Sequence, residues 1–423
     1  MVFVPFIYFT LLTSYFIYKH KTVLDVCVYM SGLYTFTSLC AIIVVLLNRT
    51  GESGILFDEY DLELGVVPTI LYCLMLTLSI LPFSMLYNRD LKRITPTRVP
   101  YIIDIISIVL IGVALLNFWL VADSTLEILS GDLSNLRSDH YEGILSPAEL
   151  KAETLPSILK FYYYLNISTL LSLPIFFYNI CCRHRPWWFN LLIFFTSFSC
   201  PLIGIQTADR TEFIFYALMF ILCMLLFRKF FTKKIKRMII IGTIPFAAAF
   251  IVYLVAVSTA RFDEKVEGGA GASALQYGGQ GYLNFCYIWE NAKTEYIAAE
   301  REFPLISHLT MKVDSNPDRR NERTGQQGFF ISVFPTFIGD IMLDITPIGM
   351  VAWVLMYFLF TCMIIKRSHR EELTIGEVIM IFVLGVIPVF GIFYYRYSTF
   401  FYTLMMIMAF FVYLLSKYKI VLK

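Results

Sequence analysis

The sequence predicts an all-α integral membrane protein. Of its 423 residues, 58% are hydrophobic and only 16% are charged, whereas a soluble domain carries about 25% charged residues. A soluble fold of this length could not cover so much apolar surface with polar groups, but a bilayer removes that requirement. The net charge of +2 gives no basic field of the kind that binds nucleic acid, so nucleic-acid binding is excluded as a prediction.

Long apolar runs divide the chain into about eleven predicted transmembrane helices, because a spanning helix needs roughly 20 mostly apolar residues. The first run lacks a basic leader and a small-residue cleavage site, so we expect a retained helix rather than a removed signal peptide. The predicted spans lie near residues 1–18, 24–47, 66–87, 101–122, 158–180, 187–206, 212–227, 238–259, 346–365, 375–394 and 398–416.

The loops between these spans alternate strictly in charge, and lysine and arginine accumulate on the cytoplasmic side of a membrane. Basic residues follow the odd-numbered spans, as in Arg228-Lys229 after the seventh, whereas the opposite loops are acidic or nearly neutral. The alternation predicts an N-terminus outside and a C-terminus inside. Three outer segments are then substantial: residues 48–65, 123–157 and 261–345.

The longest outer segment, 261–345, is treated as a loop subdomain between helices 8 and 9 of one polytopic membrane domain, 1–423. It is glycine-rich at 268–281 and then helical in pattern at 282–301. Its apolar end, 329–345, is interrupted by Pro335, Gly339, Asp340 and Asp344. Irregular backbone at membrane depth is tolerated where it packs against protein, so we expect a re-entrant or interfacial segment there.

Three arginines map to the outer membrane interface: Arg210, Arg261 and Arg396. Positive charge there opposes the inside preference of basic residues, and partial burial of a charge is costly. Guanidinium stays charged and forms forked hydrogen bonds with phosphate oxygens, so three at one depth would form a clamp for pyrophosphate. The alternatives are that each extends to lipid phosphates or pairs with a neighbouring acid such as Asp209 or Glu212.

The outer segments also carry candidate acid–base groups and sugar-stacking rings. A histidine titrates near neutrality and an acid can accept a proton from a hydroxyl group, which makes candidates of Glu290, His308, Asp340 and Asp344. Aromatic rings that stack on sugars are Tyr277, Tyr282, Tyr287 and Trp289, although an interfacial aromatic belt has the same composition. The acidic loop 58–63 offers oxygen ligands for a divalent metal, but outer loops are acidic in any protein with this topology.

The pattern in the second half of the chain resembles the oligosaccharide repeat-unit polymerases of bacterial surface polysaccharides, the Wzy-type O-antigen polymerases. The resemblance covers mainly residues 190–416, and the first 180 residues match only as hydrophobic spans. The features that carry it are the arginine turn and apolar span 207–227, the basic inner loop, the span end 257–261, the outer segment 277–285, the motifs 334–340 and 348–349, and Arg396.

The resemblance implies an inverting glycosyltransferase with a GT-C-like bundle and a long periplasmic loop, in the bacterial inner membrane. The donor would be a glycan on undecaprenyl pyrophosphate and the acceptor one repeat unit on the same lipid, with no metal or cofactor required. A chain-length regulator is left open as a protein partner. Site residues implied are Arg210, Arg261 and Arg396 for the pyrophosphate, Glu290 or His308 as base, and Tyr277, Tyr282, Asn284 and Asp340 for substrate binding.

Three other functions remain open at this point. A lipid-linked glycan flippase or transporter would normally carry ionisable groups near mid-membrane, whereas Asp25 and Asp104 lie near the ends of their predicted spans. An O-antigen ligase uses the same donor with a different acceptor. A glycosyltransferase that adds single sugars from a polyprenyl-phosphate donor would make the acidic loop 58–63 essential.

Overall fold

A computed structural model describes the fold of most of the chain. The residues described are 1–50, 54–58, 63–87, 91–97, 99, 101–129, 147–183, 185–206, 210–242, 248, 251, 269–293, 302–303, 324–331, 333–367 and 371–417. They are mostly helical, with two short strands. The all-α prediction is therefore confirmed at the level of fold class.

The elements follow one another along the chain as helices joined by short connections. They are α1 Phe3–His20, α2 Val26–Leu46, α3 Val66–Ile80, α4 Ser84–Tyr87, β1 Arg93–Thr95, α5 Ile102–Leu129, α6 Pro147–Glu153, α7 Ser157–Tyr164, α8 Ser172–Tyr178, α9 Trp187–Ser197, α10 Ser199–Gln206, α11 Thr211–Phe227, α12 Gly269–Asn291, α13 Thr336–Arg367, β2 Glu372–Thr374, α14 Ile375–Leu384, α15 Val386–Phe390 and α16 Phe400–Lys417.

Within the described residues, six helices are long and apolar enough to cross a membrane, or seven if one bent pair counts as a span. The bent pair is Ser157–Tyr164 with Asn166–Arg183, and two shorter apolar helices are Trp187–Leu202 and Ile375–Phe390. A membrane protein with several transmembrane helices is thus confirmed. The count of about eleven stays a prediction, since most of the expected span 238–259 lies outside the described residues.

The chain forms two compact units, each assembled from three separate stretches of sequence. The first unit is Met1–Arg89, Gly271–Arg367 and Leu384–Thr403, and the second is Asp90–Ala270, Ser368–Val383 and Leu404–Lys423. The described part of the predicted loop 261–345 therefore belongs, from Gly271 onward, to the first unit.

In the first unit, α1 and α2 form a helical hairpin with a sharp turn. Lys21 ends α1 in the left-handed region (φ 47°), and the Asp25 carboxylate caps α2 by accepting a hydrogen bond from the Cys27 N–H at 2.8 Å. The buried His20 lies 2.9 Å from the same carboxylate and stacks on Tyr87. A side-chain acceptor at this position satisfies an N–H that the helix leaves without a partner.

The glycine-rich stretch 268–281, expected to precede a helix at 282–301, is itself helical and starts α12 at Gly269. Close packing explains this difference. A Cβ added to Gly279 would lie 2.9 Å from the backbone nitrogen of Ala41 in α2, and one added to Gly281 would lie 2.9 Å from the Thr336 methyl carbon. Small residues permit such close helix contact in membranes, and this contact offsets the low helix propensity of glycine.

The predicted irregular segment before the ninth span is also helical, but it is separated from that span by a break. Ile345 (φ −134°, ψ 24°) and Thr346 (φ 71°, ψ 163°) interrupt α13. Pro347 follows, and a proline removes an N–H that a continuous helix would use. The half-helix Thr336–Asp344 is thus distinct from the long apolar helix after the break.

The second unit contains β1, α5–α11, β2, α14 and most of α16. The two strands pair in parallel, Arg93 to Thr95 with Glu372 to Thr374. Inside the unit, the Asn117 amide donates to the Ser199 carbonyl and hydroxyl oxygens, both at 2.8 Å. Buried polar side chains that are paired in this way fix the packing of the helices that carry them.

Candidate functional site

The turn between α15 and α16 carries Arg396 inside a set of aromatic rings. Its guanidinium carbon lies 5.0 Å from the ring centre of Phe390, 5.3 Å from that of Tyr394 and 4.2 Å from that of Tyr402. One guanidinium nitrogen donates to the Tyr402 hydroxyl oxygen. The side chain is only 6% exposed. Cation–π contacts on several rings hold a guanidinium in one orientation, so Arg396 is a positioned charge.

A buried carboxylate fixes the backbone beside this arginine. Asp340, on the half-helix Thr336–Asp344, is 1% exposed and accepts the N–H of Tyr395 at 2.8 Å. The Thr336 N–H donates to the Phe393 carbonyl at 3.0 Å. The start of α13 and the turn that carries Arg396 are therefore joined along several residues, and a carboxylate makes the stronger kind of hydrogen bond.

Both ends of the half-helix have unusual backbone. Thr336 has φ 67° and Thr346 has φ 71°, and a β-branched residue with positive φ is strained. Each such residue costs about 1–3 kcal/mol and persists only where the surrounding fold imposes it. Strain of this kind concentrates at binding and catalytic sites, and here it frames the segment that holds Asp340 and Asp344.

The second carboxylate of the half-helix holds a different stretch of chain. Asp344, also 1% exposed, accepts the N–H of Glu302 at 2.8 Å. The next ring, Phe303, lies 5.9 Å from Tyr395 between ring centres. Burial, and then the negative charge of Glu302, raise the pKa of the Tyr395 phenol well above its usual range. Tyr395 therefore stays neutral at physiological pH.

Tyr277, predicted to stack on sugar, reaches the arginine through an aromatic chain. Its ring centre lies 5.6 Å from that of Phe334, and Phe334 stacks on Tyr394 at 5.4 Å with an interplanar angle of 18°. Three of the predicted site residues, Tyr277, Asp340 and Arg396, are thus linked within the first unit through contacts of one or two side chains.

Tyr282 and Asn284 make contacts inside the protein. The Tyr282 hydroxyl lies 2.7 Å from the Thr69 hydroxyl. The Asn284 amide accepts from the Leu56 N–H at 3.0 Å and donates to the Gly54 carbonyl at 2.8 Å. These bonds attach the predicted outer segment 48–65 to α12, and a substrate-binding role for the two residues stays a prediction.

Asn284→Ala should release the segment around Leu56 from α12, because a fully buried side chain that makes two hydrogen bonds is lost. Each bond contributes about 0.5–1.5 kcal/mol, and the Leu56 N–H would lose its acceptor. Hydrogen–deuterium exchange of the 54–57 segment should become faster. The matched control is Asn291→Ala, whose amide donates only to Tyr287 in its own helix. Equal exchange in both variants would contradict the anchoring role.

The remaining predicted residues lie apart from this cluster or outside the described chain. Glu290 is exposed near the C-terminal end of α12, where a Cβ at Gly65 would lie 2.5 Å from its carboxylate. Arg210 is half-buried just before α11 in the second unit. Arg261 and His308 fall outside the described residues, so the three-arginine clamp stays a prediction.

Among the described residues, no group of three or more histidine, cysteine, aspartate or glutamate side chains is arranged to hold a metal ion. Asp104, the acid near the end of the fourth predicted span, pairs with Arg183 at 2.8 Å and Arg185 at 2.7 Å. It is a paired structural charge within the second unit, which gives no support to a transport role for that carboxylate.

The sequence reasoning missed the three rings that surround Arg396. Phe390, Tyr394 and Tyr402 recur at short intervals on both sides of it. A dense aromatic run around a lone arginine in a predicted turn was the available signal. It could not be separated from an interfacial aromatic belt, which has the same composition.

The fold and the cluster define a polytopic helical membrane protein with a caged arginine and buried carboxylates at one end of its first unit. No family model, curated protein or solved structure matches the chain.

Proposed function

We propose that this protein is a membrane glycosyltransferase that joins undecaprenyl-pyrophosphate-linked oligosaccharide repeat units into O-antigen or another surface polysaccharide, at the periplasmic face of a bacterial inner membrane. The observation that supports it most is Arg396, a guanidinium held by three aromatic rings in the turn between the last two helices. The sequence resemblance places an arginine of the polymerases at this point.

The chemistry of the proposed leaving group explains why an arginine would be kept there. Burying a permanent charge is expensive unless the charge is used, and pyrophosphate is a multiply charged anion that guanidinium binds through forked hydrogen bonds. Charge stabilisation of this kind is usually the largest electrostatic contribution to catalysis. Because Tyr394 and Tyr402 cover the guanidinium, substrate binding would displace one of these rings, as in an induced fit.

The proposed reaction is a single inverting displacement. A hydroxyl oxygen of the acceptor repeat unit bonds to the anomeric carbon of the donor glycan, and the bond from that carbon to the pyrophosphate oxygen breaks. Undecaprenyl pyrophosphate leaves with the bonding electrons, and Arg396, with Arg210 and Arg261, stabilises its charge. The hydroxyl proton passes to a base, for which Glu290 and His308 are the candidates.

The experiment that tests the proposal is deletion of the gene in the producing bacterium, followed by a polysaccharide gel. Loss of a polymerase leaves the lipid core carrying a single repeat unit, and the intact gene restores the ladder. Bare core would assign the O-antigen ligase reaction, which shares the donor. An unchanged ladder would contradict both assignments.

A further inference from the structure

The half-helix Thr336–Asp344 holds two chain segments through two carboxylates one helical turn apart. Asp340 accepts the Tyr395 N–H and Asp344 accepts the Glu302 N–H, both at 2.8 Å. Residues four apart lie on the same face of a helix. The two segments are therefore held by one face of the half-helix.

We infer that Asp344 is a positioning residue for Arg396, which it supports by keeping Glu302 and Phe303 packed against Tyr395. The consequence for catalysis rests on the proposed function, but the structural link does not. The route is short: Asp344 fixes the Glu302 backbone, Phe303 packs on the Tyr395 ring at 5.9 Å, and Arg396 is the next residue in the chain.

Burial makes this link strong. Both carboxylates are 1% exposed and Glu302 is 2% exposed, so water cannot replace a lost hydrogen bond. A buried N–H without an acceptor carries its full desolvation cost, which exceeds the value of an ordinary hydrogen bond. Removal of the Asp344 carboxylate should therefore displace Glu302 and Phe303, and this removes a packing partner from Tyr395.

The backbone of the half-helix makes its two acceptors act together. Thr336 and Thr346, both with positive φ, lie at its two ends, and such residues persist only where the fold holds them. Thr336 also pairs with Phe393 in the arginine turn. A disturbance at Asp344 thus meets a segment whose other end already contacts the turn, rather than a freely adjusting loop.

A positioning role makes a different demand on chemistry from acid–base catalysis. Accepting an N–H needs one oxygen, which an asparagine side chain also offers, whereas proton transfer needs the carboxyl group itself. Asp344→Asn should therefore preserve the link and Asp344→Ala should remove it. This pair separates the two roles.

The test uses the full-length protein in two measurements. Hydrogen–deuterium exchange of the detergent-purified protein should become about tenfold faster at Glu302 and in the 391–399 segment of Asp344→Ala, since a charge-assisted hydrogen bond is lost. In the deletion strain, Asp344→Ala should shorten the polysaccharide ladder at wild-type membrane abundance. Asp344→Asn should stay close to wild type in both, as should Glu153→Ala, an exposed acid of the second unit.

Three results would overturn the inference. One is faster exchange at Glu302 with no change in 391–399, and a second is a normal ladder for Asp344→Ala despite faster exchange in both segments. The third is an Asp344→Asn variant as defective as Asp344→Ala, because an oxygen acceptor would then be insufficient. Failure of the proposed function is separate: the intact gene would then restore no ladder, whatever the exchange data.

Discussion

Arg396→Ala should abolish long glycan chains in the producing cell while the protein remains in the membrane at its normal level. Loss of one preorganised charge donor typically costs about 2.7–4 kcal/mol of barrier, or roughly 10²–10³ in rate. Such a rate is too low to build a ladder. The measurement is a polysaccharide gel of the complemented deletion strain, with membrane abundance followed by immunoblot.

The controls for this prediction use other basic and aromatic positions. Arg396→Lys should also fail, because an ammonium group lacks the planar fork of guanidinium. Arg237→Ala, at an exposed position on the predicted cytoplasmic side, should give a normal ladder. The clamp hypothesis further expects Arg210→Ala and Arg261→Ala to lose long chains, and a normal ladder for all three arginine-to-alanine variants would rule it out.

Gly279→Ala should destabilise the first unit, because its new Cβ would lie 2.9 Å from backbone atoms of Cys40 and Ala41. Backbone atoms of a packed helix cannot rotate away, so α2 and α12 would have to separate. Overpacking of this kind costs about 1–3 kcal/mol. The thermal unfolding midpoint of the detergent-purified protein should fall.

The matched control lies in the same helix. A Cβ at Gly271 would meet nothing within 4 Å, and alanine is favoured over glycine in a helix by up to about 1 kcal/mol. Gly271→Ala should therefore leave the midpoint unchanged or raise it. Equal midpoints for the two variants would contradict a close approach of α12 and α2 at Gly279.

Sequence patterns predicted the helical class and most of the apolar helices, because span length and loop charge are local properties. They also identified Arg396 and Asp340 as exceptional, since a charged residue beside apolar runs is visible in one dimension. The break before the ninth span was expected from the prolines and acids of 329–345, and it occurs at Ile345–Thr346.

What the sequence could not supply are contacts between residues far apart in the chain. Asn284 bonds to Gly54 and Leu56, more than 220 positions away, and nothing local distinguishes it from a sugar-binding amide. The glycine-rich start of α12 was misassigned for the same reason. Its helical state depends on the facing surface of α2, and local propensity favours a loop.

The interleaved chain path of the first unit sets the order in which the site is completed during synthesis. Its first stretch ends at Arg89 and the next begins at Gly271, a delay of roughly 10–40 s at about 5–20 residues per second. Arg396 and Tyr402 are translated later still. The early helices must therefore wait in the bilayer with the surface for α12 uncovered, where a membrane chaperone or insertase could bind it. The caged charge is added only when the rest of its surroundings already exists.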